Sequence, residues 1–136
     1  MKPLIYHAGG VTIEQNELEV CMIVGNFNTV EATKVMSDAA KEAFMKVLIS
    51  PKEGWEGYVM RVIELGDHGY SPKHQHPWPH INFVIEGEGS LQIGEEHHPL
   101  KAGSFAYVPA DTLHQFSNTG KQTLKFICIV PEEGHQ

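Results

Sequence analysis

The chain has 136 residues, 41% of them hydrophobic and 20% charged, enough for one globular domain burying roughly two-thirds of its unfolded surface. Seventeen acidic against ten basic residues leave a net charge of −7, which argues against nucleic acid or an anionic membrane as partner, since both need a basic surface. No segment approaches the ~20 apolar residues of a membrane span, and the N-terminus lacks the apolar run of a signal peptide, so cytoplasm is the expected compartment.

The first fifty residues carry the weakest patterning. Residues 18–24 form a short apolar, β-branched run ending at Gly25 and are expected to be a strand. Over residues 29–41, Val35, Met36, Ala39, Ala40 and Ala43 recur at helical spacing among good helix formers, which predicts a short helix. Residues 43–49 read as β, and residues 50–57 as a turn-rich loop. The expected organisation is an N-terminal extension over residues 1–42, packing on the main domain or on a partner, followed by a β domain over residues 43–136.

Beyond Gly57 the chain becomes a regular β protein. Residues 58–65, 73–76, 80–86, 89–94, 104–108, 113–117 and 122–130 are strand candidates, each bounded by Gly, Pro, Asp or Asn. Short strands at even spacing predict an all-β antiparallel sandwich or barrel. The two cysteines, Cys21 and Cys128, match no metal-knuckle spacing; reduced thiols are the expectation and a disulfide between them the alternative.

Side chains alternate across a strand, so parity assigns faces. His74 and His76 share one side, and His80 rejoins it after Pro77-Trp78-Pro79, followed by Asn82 and Val84. An outward Lys125 turns Leu124, Phe126, Cys128 and Val130 inward, and an outward Glu64 turns Val59, Arg61 and Ile63 inward. An arginine aimed into a barrel needs a partner, which marks Arg61 as a candidate ligand-binding group. The opposite face, Ile81, Phe83 and Ile85, is too apolar for water and predicts a cover, with a homodimer as the first expectation.

Three histidines within seven residues, joined by His114 downstream, point to metal. Neutral imidazole is the commonest ligand for the late first-row ions, and two His at i and i+2 on a strand stand ~6.6 Å apart at Cα, close enough to converge on one ion. Burying such a group without a ligand would leave donors and acceptors unmatched. His7, His68, His97, His98 and His135 read instead as surface or satisfied residues, the His97-His98 pair in a polar hairpin.

The two histidine segments resemble the paired motifs of the cupin superfamily. The first motif reads Gly, about five residues, His-x-His, three or four residues, Glu, six residues, Gly; this chain has Gly69, His74-x-His76, His80 and Gly87 in that frame. The second reads Gly, five residues, Pro-x-Gly, two residues, His, three residues, Asn, matched by Gly103, Pro109-x-Asp111, His114 and Asn118. The chain departs from the pattern in a first gap one residue short, in His80 standing for glutamate, and in Asp111 standing for glycine. The resemblance covers residues 58–131 and is similar to small single-domain cupins with a four-histidine site. It implies a double-stranded β-helix, or jelly-roll barrel, with one divalent transition metal on His74, His76, His80 and His114.

Four neutral ligands would leave the full double charge on the ion, favouring Lewis acidity and an anionic substrate such as an enolate. The leading expectation is a Mn- or Fe-dependent dioxygenase-type enzyme for a small oxygenated molecule, with Ni, Co, Cu and Zn as less favoured ions. Arg61, Phe116, Phe126 and Cys128 are expected to shape its pocket and Trp78 to line the rim. A metal-dependent isomerase or lyase, or a non-catalytic small-molecule-binding protein, are the alternatives.

Overall fold

A computed structural model describes residues 4–8, 11–15 and 21–135. Among these residues, twelve strands run in chain order: β1 Leu4–Ala8, β2 Val11–Gln15, β3 Cys21–Gly25, β4 Thr33–Lys34, β5 Lys41–Ile49, β6 Tyr58–Tyr70, β7 His80–Glu86, β8 Gly89–Ile93, β9 Glu96–Leu100, β10 Phe105–Val108, β11 His114–Asn118 and β12 Leu124–Pro131. The first three form a small antiparallel sheet. The other nine form one curled antiparallel sheet in which β10, β7, β12, β6, β11, β8 and β9 are successive neighbours and β5 adds to β6. This is the expected all-β jelly-roll. No helix among the described residues is long and apolar enough to cross a membrane.

The alternation drives the curl. On β12 the residues Leu124, Phe126, Cys128 and Val130 are buried, and every residue between them is half-exposed. They meet Val59, Ile63 and Leu65 of β6, Val84 of β7, Leu91 of β8 and Phe116 of β11 in one core cluster. Removing that apolar area from water is the main favourable term holding the sheet in its curl.

The helix expected over residues 29–41 is not formed. Asn26 caps a single 3-10 turn at Phe27–Thr29, β4 then pairs with β5, and Ser37 Oγ accepts from the Ala39 N–H within a turn. Thr29, Val30, Thr33 and Val35 are β-branched, which disfavours helix, and Ser37 offers the backbone a competing hydrogen bond. The β5 edge supplies the pairing a lone helix would lack, and the helical spacing of Met36 is incidental, since it is 89% exposed.

The expected strand at residues 73–76 is also reduced, to one bridge. His74 and His114 exchange backbone hydrogen bonds of 3.1 and 3.0 Å and no longer ladder forms, because Pro72, Pro77 and Pro79 lack the N–H groups that would extend it. The strand β9 was not anticipated; its polar Glu96-His97-His98 face is exposed and hides the pattern. The outer face of β7 and β10 is open in the chain: Ile81 and Phe83 are each 48% exposed, Tyr107 61% and Phe105 83%.

Candidate metal centre

The histidines come from three pieces of chain fixed in different ways. His80 opens β7 and His114 opens β11, so both are set by the sheet. His74 and His76 lie on the segment between β6 and β7, which is laced to β11. Ser71 bonds Phe116 through backbone and hydroxyl, His74 bridges His114, and His76 O accepts from the Asp111 N–H at 2.7 Å.

Asp111 makes that last contact from a left-handed conformation, φ +58°. This is the conformation that glycine adopts freely, and aspartate is among the few other residues that tolerate it. The substitution therefore keeps the turn.

The four rings form one cluster. Centroids stand 5.0 Å apart for His74–His76, 4.9 Å for His74–His114, 4.9 Å for His76–His114, 5.4 Å for His76–His80 and 4.9 Å for His80–His114. One nitrogen each of His74, His76 and His114 fall within 4.8 Å of one another. His80 Nε2 lies 3.1 Å from His114 Nε2, the chord that two bonds of about 2.2 Å make at right angles.

Three rings have Nδ1 committed elsewhere: His76 to Trp78 O at 2.8 Å, His114 to Thr112 O at 2.8 Å and His80 to Asn82 Oδ1 at 2.7 Å. Acceptors in those places fix the tautomer with the proton on Nδ1 and leave Nε2 as a free lone pair. The donor set of His74, His76 and His114 thus fits a divalent transition ion, and His80 adjoins it through its approach to His114.

The protonation states agree. Burial first, then the charges of His114, His76 and Arg61, lower the His74 pKa from 6.5 to about 4. Burial likewise lowers His80 to about 4, against the opposing pull of the Asn82 hydrogen bond and with smaller contributions from His114, His76 and Arg61. His114 is lowered by burial and partly restored by its bond to Thr112 O. Near neutral pH these imidazoles are uncharged and able to ligate.

A cavity of about 210 Å³ opens beside the cluster, and it brings the expected pocket residues together with the histidines. Arg61, Trp78, Phe116, Phe126 and Cys128 all line it. Phe116 and Phe126 stack at 4.3 Å and are also core residues, 4% and 2% exposed. Trp78 stacks on His76 with centroids 4.8 Å apart and planes within 10°, and Gly134 sits tight against its indole.

Cys128 is a buried free thiol, its pKa raised by burial. Asn82, Met45, Ser71 and Val35 also line the cavity, though no role was read for them from sequence. Parity had placed Asn82 beside His80, and that signal was available. His135, read as a surface or satisfied residue, sits with Nδ1 3.2 Å from Arg61 Nη1, a contact 74 positions apart that no local pattern announces.

A family model described as Cupin domain (Cupin_2) matches residues 61–130. The chain belongs to the cupin family. Among solved structures, this cupin is similar to the polyketide cyclase RemF from Streptomyces resistomycificus, with a TM-score of 0.76 and 26% identity over 82% of this chain and 80% of that one. Among curated proteins, it is similar to Auxin-binding protein 1 of Arabidopsis thaliana, 29% identical over 44% of this chain and 35% of the relative. It is also similar to 1-methylthio-D-xylulose 5-phosphate methylsulfurylase of Rhodospirillum rubrum, 26% identical over 54% of this chain and 47% of the relative. The matches thus span under half the length of these curated relatives. Their names span binding and catalysis, so family membership alone does not choose a reaction.

Proposed function

We propose that this cupin is a metal-dependent enzyme of dioxygenase type, using Mn or Fe on His74, His76, His80 and His114 to act on a small oxygenated molecule. The observation that carries the reading is the meeting of four imidazoles, three with Nδ1 engaged, at the mouth of an apolar pocket. A divalent ion held there would supply Lewis acidity and, if redox-active, electrons.

The chain's own residues do the rest. Asn82, Thr112 and Trp78 hold the ligand rings in the ligating tautomer. The stacked Phe116 and Phe126 give a flat apolar wall that keeps water from one side of a bound molecule. No Asp or Glu lines the cavity among the described residues, so a carboxylate base for proton shuttling is not at hand, which favours oxygen chemistry over isomerisation.

A second reading is oxygen-independent chemistry on an enolisable substrate, as isomerase, lyase or cyclase. It is favoured by the likeness to a polyketide cyclase across most of both chains. Elemental analysis of protein purified without chelator or affinity nickel tests the shared premise; a wild type that holds no metal and loses no stability after chelation would overturn both readings. With the ion identified, turnover of enolisable and aromatic oxygenated compounds with and without oxygen separates them. Oxygen uptake in step with product supports the first; equal turnover under argon supports the second. Saturable binding with no turnover under either atmosphere would point to a small-molecule-binding cupin.

A further inference from the structure

Three neighbouring strands place Arg61, Cys128 and Asn82 in one row. In the ladder, Cys128 of β12 is the register partner of Arg61 on β6 and of Asn82 on β7, and all three side chains line the cavity. The row begins two residues along β7 from His80, so it adjoins the four histidines.

What distinguishes the row is its surplus of donors. Arg61 Nε is buried with no hydrogen-bond partner among the described residues, and so is Asn82 Nδ2, in a residue only 6% exposed. The other contacts of the guanidinium are Met45 sulfur at 3.9 Å, His135 Nδ1 at 3.2 Å and the Cys128 thiol, a weak acceptor that it shares with Asn82. No described carboxylate forms an ion pair with it, and a guanidinium does not deprotonate. Cys128 does not supply the missing charge, because burial raises its thiol pKa despite the opposing pull of Arg61 and Asn82. His135 does not either, since burial, and then Arg61 and Lys52, keep it uncharged.

An unpartnered buried donor is costly, and an unpaired buried cation more so. The Asn82 amide is also held in place: its Oδ1 is committed to His80 Nδ1, which leaves Nδ2 as its unpartnered end. With a divalent ion on the histidines, the pocket would carry three positive charges against no lining carboxylate among the described residues. An acceptor of opposite charge is what the cavity lacks.

We infer that Arg61 and Asn82, side by side across Cys128, form an anion subsite that takes the carboxylate of a small organic acid, whose other oxygen faces the four histidines. The inference rests on the proposed role of the cavity as substrate pocket and narrows the substrate class. A carboxylate is the anion we assign, because its two coplanar oxygens match the planar guanidinium edge and the neighbouring amide N–H₂.

The test is calorimetric titration of metal-loaded and metal-free protein with benzoate, benzamide and benzylphosphonate as probes, a readout that needs no turnover. Benzoate is expected to bind the metal-free protein at least tenfold tighter than benzamide or benzylphosphonate. Arg61→Gln should lose that preference in both forms while retaining its metal by elemental analysis. Asn82→Asp keeps an acceptor for His80 but sets a negative charge in the subsite, and it should weaken benzoate while sparing benzamide. Equal binding of benzoate and benzamide to metal-free wild type, or benzoate binding that Arg61→Gln leaves unchanged, overturns the inference and leaves the metal reading untouched. Preference for benzylphosphonate overturns the carboxylate assignment. Carboxylate binding in a protein that takes up no metal would sustain the subsite and sink the metal reading instead.

Discussion

Asn82 Oδ1 accepts a hydrogen bond from His80 Nδ1 at 2.7 Å, inside the barrel, between two residues each 6% exposed. His80 stands where the cupin motif carries a carboxylate, so this bond is what orients a neutral ring in an anionic ligand's place. Removing such a supporting partner costs about 10–100-fold in metal affinity. Asn82→Ala is therefore expected to weaken metal binding by that factor, with Asn82→Asp holding close to wild type. Competition with a fluorescent chelator measures both, and equal affinity for Asn82→Ala and wild type would remove the positioning role.

The lowered histidine pKa values set a pH dependence for the metal-free protein. Unfolded imidazoles take up protons near pH 6.5, while His80 and His74 in the folded state resist until about pH 4. The unfolded chain thus binds more protons between those limits, and stability falls as pH falls through that window and levels off below it. His80, being buried, accounts for about 3 kcal/mol of the change at most; solvent-facing His74 adds less, because water screens it. Urea unfolding of chelated protein at pH 7, 5.5 and 4.5 should show the decline, and His80→Gln should flatten it. A variant with the wild-type slope would refute the assignment.

Much of the site was legible because strand parity and short-range spacing carry it. His80 with Asn82, Arg61 with Ile63, and Phe126 with Cys128 each share a face by simple alternation, and the sheet places them so. What sequence could not supply was competition between long-range partners. Residues 33–34 became strand because β5 offered an edge, and residues 73–76 stayed a loop because prolines removed the donors. The Arg61–His135 contact depends on where the chain returns after β12, which no local pattern encodes.

Asp111 holds φ +58° while its N–H anchors His76. Glycine reaches that conformation without strain, so Asp111→Gly is expected to change stability by less than about 1 kcal/mol, the relief of strain offsetting greater unfolded-state freedom. Asp111→Val is expected to cost about 2 kcal/mol and to loosen the metal, since a β-branched residue resists this region. Thermal unfolding with bound metal counted in parallel checks both; a Val variant as stable as wild type would show the turn is not constrained.

For the open face of β7 and β10 we propose a second copy of this chain as the cover. Strand β10 ends the sheet order, so its outer edge faces no described strand, and the exposed Phe105, Tyr107, Phe83 and Ile81 run on from that edge. A two-fold pairing of the same edge would shelter both apolar faces at once. Sedimentation should give a dimer for wild type and a monomer for Phe105→Glu. A wild type that is monomeric at micromolar concentration would end the proposal.

On the outer side of the barrel Glu64 bridges two lysines, Lys46 and Lys125, each at 3.5 Å, and Lys125 continues to Glu86 at 2.8 Å. Lys46 is only 8% exposed and has one other polar contact among the described residues, the Phe27 carbonyl at 3.0 Å. Both ammonium groups stand 5.6 Å from the Phe27 ring centroid, so the cluster ties the segment before β4 to the sheet. Removing the shared carboxylate strands a mostly buried cation, which costs more than the pair itself contributes. Glu64→Gln is therefore expected to lower stability by about 2 kcal/mol at low salt. The combined change Lys46→Met, Glu64→Gln should recover part of that loss, because no buried charge is then left unpaired. Urea midpoints at constant m measure both, and a double variant less stable than Glu64→Gln alone would show that Lys46 contributes through its Phe27 contacts rather than through the pair.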